Sequence, residues 1–173
     1  MTNWVDDTID AFHRSGIEVV AYLPDTPLDP LLDRLNDDES IETYLVTREE
    51  EAVGVLSGAW LAGKKGVMLC QSSGLANSFN AIGSLNMPAR IPFLCLTNRR
   101  GNLGEFNLAQ VSAGYGMEHI LDGMGVRHHT IEDGEELGRK VMMAAETAFS
   151  TETPYVLLLE ATVAGYKADE VQS

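Results

Sequence analysis

The chain has 173 residues and a formal charge of −14, with 45% apolar and 22% charged residues. That length suits one ordinary domain, and that apolar share is enough to bury a core. The acidity argues against nucleic acid and anionic membrane as partners, since both need a basic patch, and no apolar run approaches the ~20 residues of a membrane helix.

The first ten residues, "MTNWVDDTID", carry acids where a secretion signal would be basic, so a cytoplasmic protein is expected. Val5, Ile9 and Phe12 fall at helical spacing with Gly16 as a stop. Strand-like runs follow at 18–23, 41–46, 66–71, 91–97, 126–131 and 154–161, most of them apolar on both faces as in a buried parallel sheet. Helical stretches at 28–36, 49–62, 75–86, 109–123 and 134–149 alternate with them. This order predicts an α/β fold of three layers, with about six mostly parallel strands and helices on both faces. No repeat or composition break appears, so residues 1–173 read as a single domain. Cys70 and Cys95 lie inside apolar strands and read as small core residues in a reducing compartment. His128 and His129 are adjacent on a strand, point to opposite faces and cannot chelate one ion together.

In such sheets ligands bind at the carboxyl ends of the strands. The loops there are 24–30, 47–51, 71–77 and the long 98–110. None carries a G-x-G-x-x-G dinucleotide fingerprint, a P-loop or a G-x-S-x-G elbow. The second loop, "TREEE", runs straight into an apolar helix. Thr47 and Glu50 form a T-x-x-E capping box, which gives Glu50 a structural task. Glu49 instead leads the stripe Ala52, Val53, Leu56 and Trp60, while Glu51 lies nearer Val55, Gly58 and Ala62. A carboxylate at the buried mouth of a helix is costly unless paired or kept for chemistry. A plain surface helix start accounts for these residues equally well.

The segment "REEEAVGVLSGAWLAGKKGVMLCQSSGLANSFNAIGSL" (48–85) resembles the pyrimidine-binding (PYR) domain of thiamine diphosphate enzymes. It is most similar to the sulfopyruvate and phosphonopyruvate decarboxylases. Those proteins have an acid opening a helix, a glycine nine residues on, a G-K pair and a strand ending in Q-N-S-G-L-G-N. Glu49, Gly58, Gly63-Lys64 and Gln71 to Asn77 correspond. "LPDTPLDPLLDRL" (23–35) is similar to the family's V-P-D-S-x-L-x-P loop, and "NRRG" (98–101) to its W-R-G segment. Ser72 departs from the usual Asn, and Ala76 from Gly. The G-D-G motif followed by N-N, which belongs to the diphosphate-binding (PP) domain, is absent from these residues.

The resemblance implies the α subunit of a two-chain sulfopyruvate decarboxylase, converting 3-sulfopyruvate to sulfoacetaldehyde and carbon dioxide. Its partners would be a β subunit carrying the PP domain, which would also hold Mg2+, and further α chains. Glu49 would hydrogen-bond N1′ of the aminopyrimidine and favour its imino tautomer. Gln71, Ser72, Ser73, Gly74, Leu75 and Asn77 would line the cofactor, and no metal ligand is expected in this chain. Asp25 would relay a proton, and Arg100, with Arg48 or Arg99, would hold the anionic head group of a small 2-keto acid. The rival readings are a phosphonopyruvate decarboxylase subunit, a non-catalytic PYR-like assembly module, and a generic flavodoxin-like binding domain.

Overall fold

The computed structural model describes residues 4–165. At its centre six strands pair in the order β2-β1-β3-β4-β6-β5, every neighbouring pair parallel. They are β1 (Ile17–Tyr22), β2 (Glu42–Leu45), β3 (Lys65–Gln71), β4 (Leu94–Asn98), β5 (Arg127–Ile131) and β6 (Tyr155–Leu159). The four inner strands are buried on both faces, which is why they read as continuous apolar runs. The outer two, β2 and β5, are largely exposed and correspondingly more polar.

Successive side chains along each strand feed two separate cores. On one face Val67, Leu69, Leu94 and Leu96 pack under α1 (Trp4–Ser15), α2 (Asp29–Asn36) and α9 (Leu137–Thr151). On the other, Met68, Cys70, Cys95 and Val156 pack under α3 (Glu49–Leu61), α4 (Ser72–Asn77) and α8 (Met117–Met124). The three-layer expectation therefore holds, with a sheet that is wholly parallel among the described residues.

Two helices differ from their predicted form. The stretch predicted as one helix over 75–86 starts earlier, at α4, and continues through α5 (Phe79–Ala81), a π-helical turn (Ile82–Asn86) and α6 (Met87–Ala89). Pro88 explains the widened turn: it lacks an N–H, and its ring crowds the carbonyl four residues back. The stretch predicted over 109–123 is split by Gly116 into α7 (Leu108–Tyr115) and α8. A 3-10 turn (Thr26–Leu28) precedes α2, and a last helical turn, α10 (Ala161–Ala164), follows β6.

The chain leaves β1 toward β2 on one side, while β3 lies on the other. The carboxyl ends of β1, β3 and β4 are thus adjacent at a reversal of strand order, where open α/β sheets form a crevice.

Candidate functional site

The start of α3 sets the first part of the site. Arg48, in extended conformation, is the N-cap residue and makes no side-chain cap bond. The predicted Thr47–Glu50 box is corrected here. The helix begins one residue later than that box requires, so Glu51 reaches back, accepting from the Thr47 N–H (2.9 Å) and hydroxyl (2.8 Å). The Thr47 hydroxyl is the main reason the Glu51 carboxyl sits below its ordinary range. Glu50 pairs with Arg48 at 3.1 Å, and both side chains are largely exposed.

Glu49 points the other way, at 7% exposure. It heads the buried face of α3 with Ala52, Val53, Leu56 and Ser57, while Trp60 turns aside to stack on Phe149 (5.9 Å between rings). Ser57 accepts a hydrogen bond from Asn86 Nδ2 (3.1 Å), which bolts α3 to the π-helical turn. The Glu49 carboxylate rests on Gly74: a Cβ added there would lie 2.0 Å from Oε1. Gly74→Ala must therefore push the carboxylate aside. We expect that variant to fold and to lose about 10²-fold in turnover. Turnover near wild type, with an unchanged melting curve, would show that the place of Glu49 does not matter.

The other residues of the β3–α4 turn divide. Gln71, half-buried at the end of β3, has a buried Oε1 with no hydrogen-bond partner among the described residues. Ser73 is half-buried. Ser72, Leu75 and Asn77, also expected to line a cofactor, differ in their surroundings. Ser72 is wholly buried, and its hydroxyl accepts the Arg100 N–H at 3.0 Å. Leu75 is sealed in the second core, and Asn77 lies exposed on α4.

Asp25 is 5% exposed and takes a 2.7 Å hydrogen bond from Asn98 Nδ2 at the end of β4. The turn after it is closed by the Asp25 backbone carbonyl, not the side chain. The expected head-group cations are already engaged. Arg99 is buried, with ion pairs to Glu160 (3.0 Å) and Glu118 (3.3 Å). Arg100 presents Nε and Nη2 to Glu105, each at 2.7 Å, and Arg48 stays on the surface with Glu50. Gly114 of α7 allows the loop to lie against that helix, since a Cβ there would stand 1.6 Å from the Arg100 carbonyl oxygen.

The Glu105 carboxylate also accepts the N–H groups of Gly101 (3.0 Å) and Asn107 (2.8 Å). The Arg100 guanidinium, foremost, and these amides hold it at about 2, against an ordinary 4.5. A depressed carboxyl stabilises the fold above its unfolded value and loses that effect as pH falls through the folded one. Glu105 is thus expected to contribute stability that disappears between roughly pH 4.5 and pH 2. Chemical denaturation of Glu105→Gln should give a flatter stability profile than wild type in that window. Parallel profiles would contradict the assignment.

The remaining candidates are structural. Cys70 and Cys95 are free and buried, and the neighbouring Cys70 thiol, with burial, raises the Cys95 thiol. His128 faces Asp122 (3.1 Å), and His129 is exposed on the other side of β5. Among the described residues no cluster of His, Cys, Asp and Glu is suited to a metal, and no helix is long and apolar enough to cross a membrane. Sequence reasoning missed Asn98, Glu105, Glu118 and Glu160. Only Glu105 left a trace, as a lone acid in a glycine-bearing loop.

Comparison with known proteins identifies the family of the chain. Residues 2–105 match the thiamine pyrophosphate enzyme, N-terminal TPP binding domain family. The sulfopyruvate decarboxylase subunit alpha of Methanococcus maripaludis is 38% identical over 147 residues, 85% of this chain and 88% of that protein. Its counterpart in Methanocaldococcus jannaschii is 36% identical over 152 residues, 88% of this chain and 90% of that protein. A phosphonopyruvate decarboxylase of Streptomyces viridochromogenes is 43% identical over 99 residues, covering 57% of this chain and 25% of that one. In fold alone, the chain is similar to a 2-oxoglutarate:ferredoxin oxidoreductase from Magnetococcus marinus, with TM-score 0.77 and 19% identity over 94% of this chain and 29% of that one. The chain belongs to the thiamine pyrophosphate enzyme N-terminal domain family and, within it, to the family of the sulfopyruvate decarboxylase alpha subunits.

Proposed function

We propose that residues 1–173 form the pyrimidine-binding domain of a thiamine-diphosphate-dependent decarboxylase that converts 3-sulfopyruvate to sulfoacetaldehyde and carbon dioxide. The observation that carries this reading is the buried Glu49 carboxylate, seated on Gly74 at the mouth of α3. The residues fit the cofactor's pyrimidine. Glu49 offers a charged acceptor, Gln71 Oε1 an acceptor lacking a partner, and Gly74 an approach that a side chain would block.

When bound, thiamine diphosphate supplies the centre that stabilises the carbanion left by carbon dioxide. Glu49 holds the proton at N1′ in a charge-assisted hydrogen bond, stronger in this shielded place than in water. Asp25, tied to Asn98, serves as proton carrier beside the keto acid. Arg100 orients the anionic head group. Leu103, Phe106 and Leu108, exposed beside these residues, favour a partner chain over this edge. That partner is a β subunit with the G-D-G and N-N motifs, which holds Mg2+ and the diphosphate. A second α chain completes the assembly.

The test is carbon dioxide release with thiamine diphosphate, magnesium and 3-sulfopyruvate, comparing this chain alone with the chain co-expressed with that partner. Turnover only in the co-expressed sample, faster than with phosphonopyruvate or pyruvate, is expected. Silence from a folded complex would favour a non-catalytic assembly module.

A further inference from the structure

We propose that Glu105 determines specificity at the head-group site: by neutralising Arg100 from within the chain, it admits a monoanionic sulfonate and disfavours a dianionic phosphonate. This rests on the reading above, in which Arg100 orients the head group.

Glu105 is an unusually complete internal anion. Its side chain is 4% exposed, and its carboxylate receives four donors: Nε and Nη2 of Arg100 and the amides of Gly101 and Asn107. Such a cradle is what an oxyanion ligand would be offered, and the chain fills one edge of it with its own carboxylate. A guanidinium has a second edge, so a head group can still be oriented, but the charge it meets is already balanced. Asp25 lowers it further, since its carboxylate also acts on Arg100.

Arg100 cannot escape this pairing by moving its backbone. Its N–H is held by Ser72, its carbonyl lies on Gly114, and Gly101 packs on the Gln110 carbonyl, where a Cβ would stand at 2.5 Å. Arg99 adds no free charge, being spent on Glu160 and Glu118. Among the described residues around this loop, two arginines meet four carboxylates: Asp25, Glu105, Glu118 and Glu160. A second negative charge on the ligand at ~6 Å, with dielectric between the surface and bulk values, is disfavoured by roughly tenfold.

The experiment uses the reconstituted two-chain enzyme. For wild type, Glu105→Gln and Glu105→Asp, kcat/KM is measured with 3-sulfopyruvate and phosphonopyruvate. Calorimetry follows binding of the unreactive probes sulfoacetate and phosphonoacetate. Glu105→Gln is expected to shift the kcat/KM ratio toward phosphonopyruvate by about tenfold or more, chiefly through KM. Glu105→Asp, which loosens the same loop but keeps the charge, should stay near the wild-type ratio. In wild type, the preference for sulfoacetate should narrow as pH falls through the second ionisation of the phosphonate, because Glu105 stays charged there.

Both substrates falling together in Glu105→Gln, with an unchanged ratio, would reduce Glu105 to a loop staple and overturn the inference alone. A wild-type complex that turns over neither substrate would overturn the functional reading, and this inference with it.

Discussion

Replacing Glu49 with glutamine is expected to leave the chain folded and assembled while lowering turnover by about 10²–10⁴-fold. The substitution keeps the size and shape of a side chain that is 7% exposed and leaves the seat on Gly74 filled. It removes the charge and turns one acceptor oxygen into a donor, so the hydrogen bond that the proposed function assigns to Glu49 at N1′ would be lost. Stability should move the other way. A carboxylate kept from water opposes folding, and a neutral amide there opposes it less, so the melting temperature should match or exceed wild type. Glu50→Gln and Glu51→Gln are the controls. Among the described residues Glu50 has only an exposed pairing with Arg48, so its loss should stay within about 0.5 kcal/mol. Glu51→Gln weakens the bonds to Thr47 and should loosen the helix start with turnover intact. Equal loss of turnover in all three variants would sink the assignment of roles.

The parts of the molecule legible in the sequence are those decided by local pattern. The inner strands are buried on both faces, so β1, β3, β4 and β6 announce themselves as apolar runs, and their alternation with helices leaves little freedom in topology. Glu49 was legible as an anomaly, a charge leading an apolar stripe, and the resemblance gave it a use. The errors lie where one residue of offset or a distant partner decides. Moving the helix start from Thr47 to Arg48 transfers the reach-back bond from Glu50 to Glu51, a shift within the ordinary uncertainty of helix ends. Pro88 was visible, but whether it ends the helix or widens a turn depends on packing around Asn86, whose amide finds Ser57 and the Ile91 carbonyl. On the polar side of the site, the resemblance names Asp25, Arg99 and Arg100, but the partners that hold them are not legible in the sequence. Arg99 meets Glu160 across 61 positions of sequence, and Asp25 meets Asn98 across 73. An arginine read alone looks available for substrate, and only the fold reveals that it is taken.

That arrangement makes the loss of Arg99 costly to stability. Arg99→Met is expected to destabilise the chain by about 3–5 kcal/mol in urea titrations. The methionine fills much of the volume, so the loss comes from the charges left behind and not from a cavity. Among the described residues, Glu160, 7% exposed, would keep only Asn102 Nδ2 at 2.9 Å, and Glu118 would keep the Thr130 hydroxyl. The carbonyls of Gly114 and Tyr115 would also lose their guanidinium donors. Arg99→Lys should fall between, since one ammonium cannot replace a planar fork that serves several acceptors. The double variant Arg99→Met/Glu160→Leu should recover a large part of the loss, because removing both partners leaves fewer charges stranded. Turnover separates this from simple destabilisation. Arg99 anchors the strand end from which Arg100 projects, so Arg99→Met, assayed well below its melting temperature, should raise KM for 3-sulfopyruvate more than it lowers kcat. An unchanged KM would mean that Ser72, Gly114 and Glu105 suffice to hold Arg100 in place.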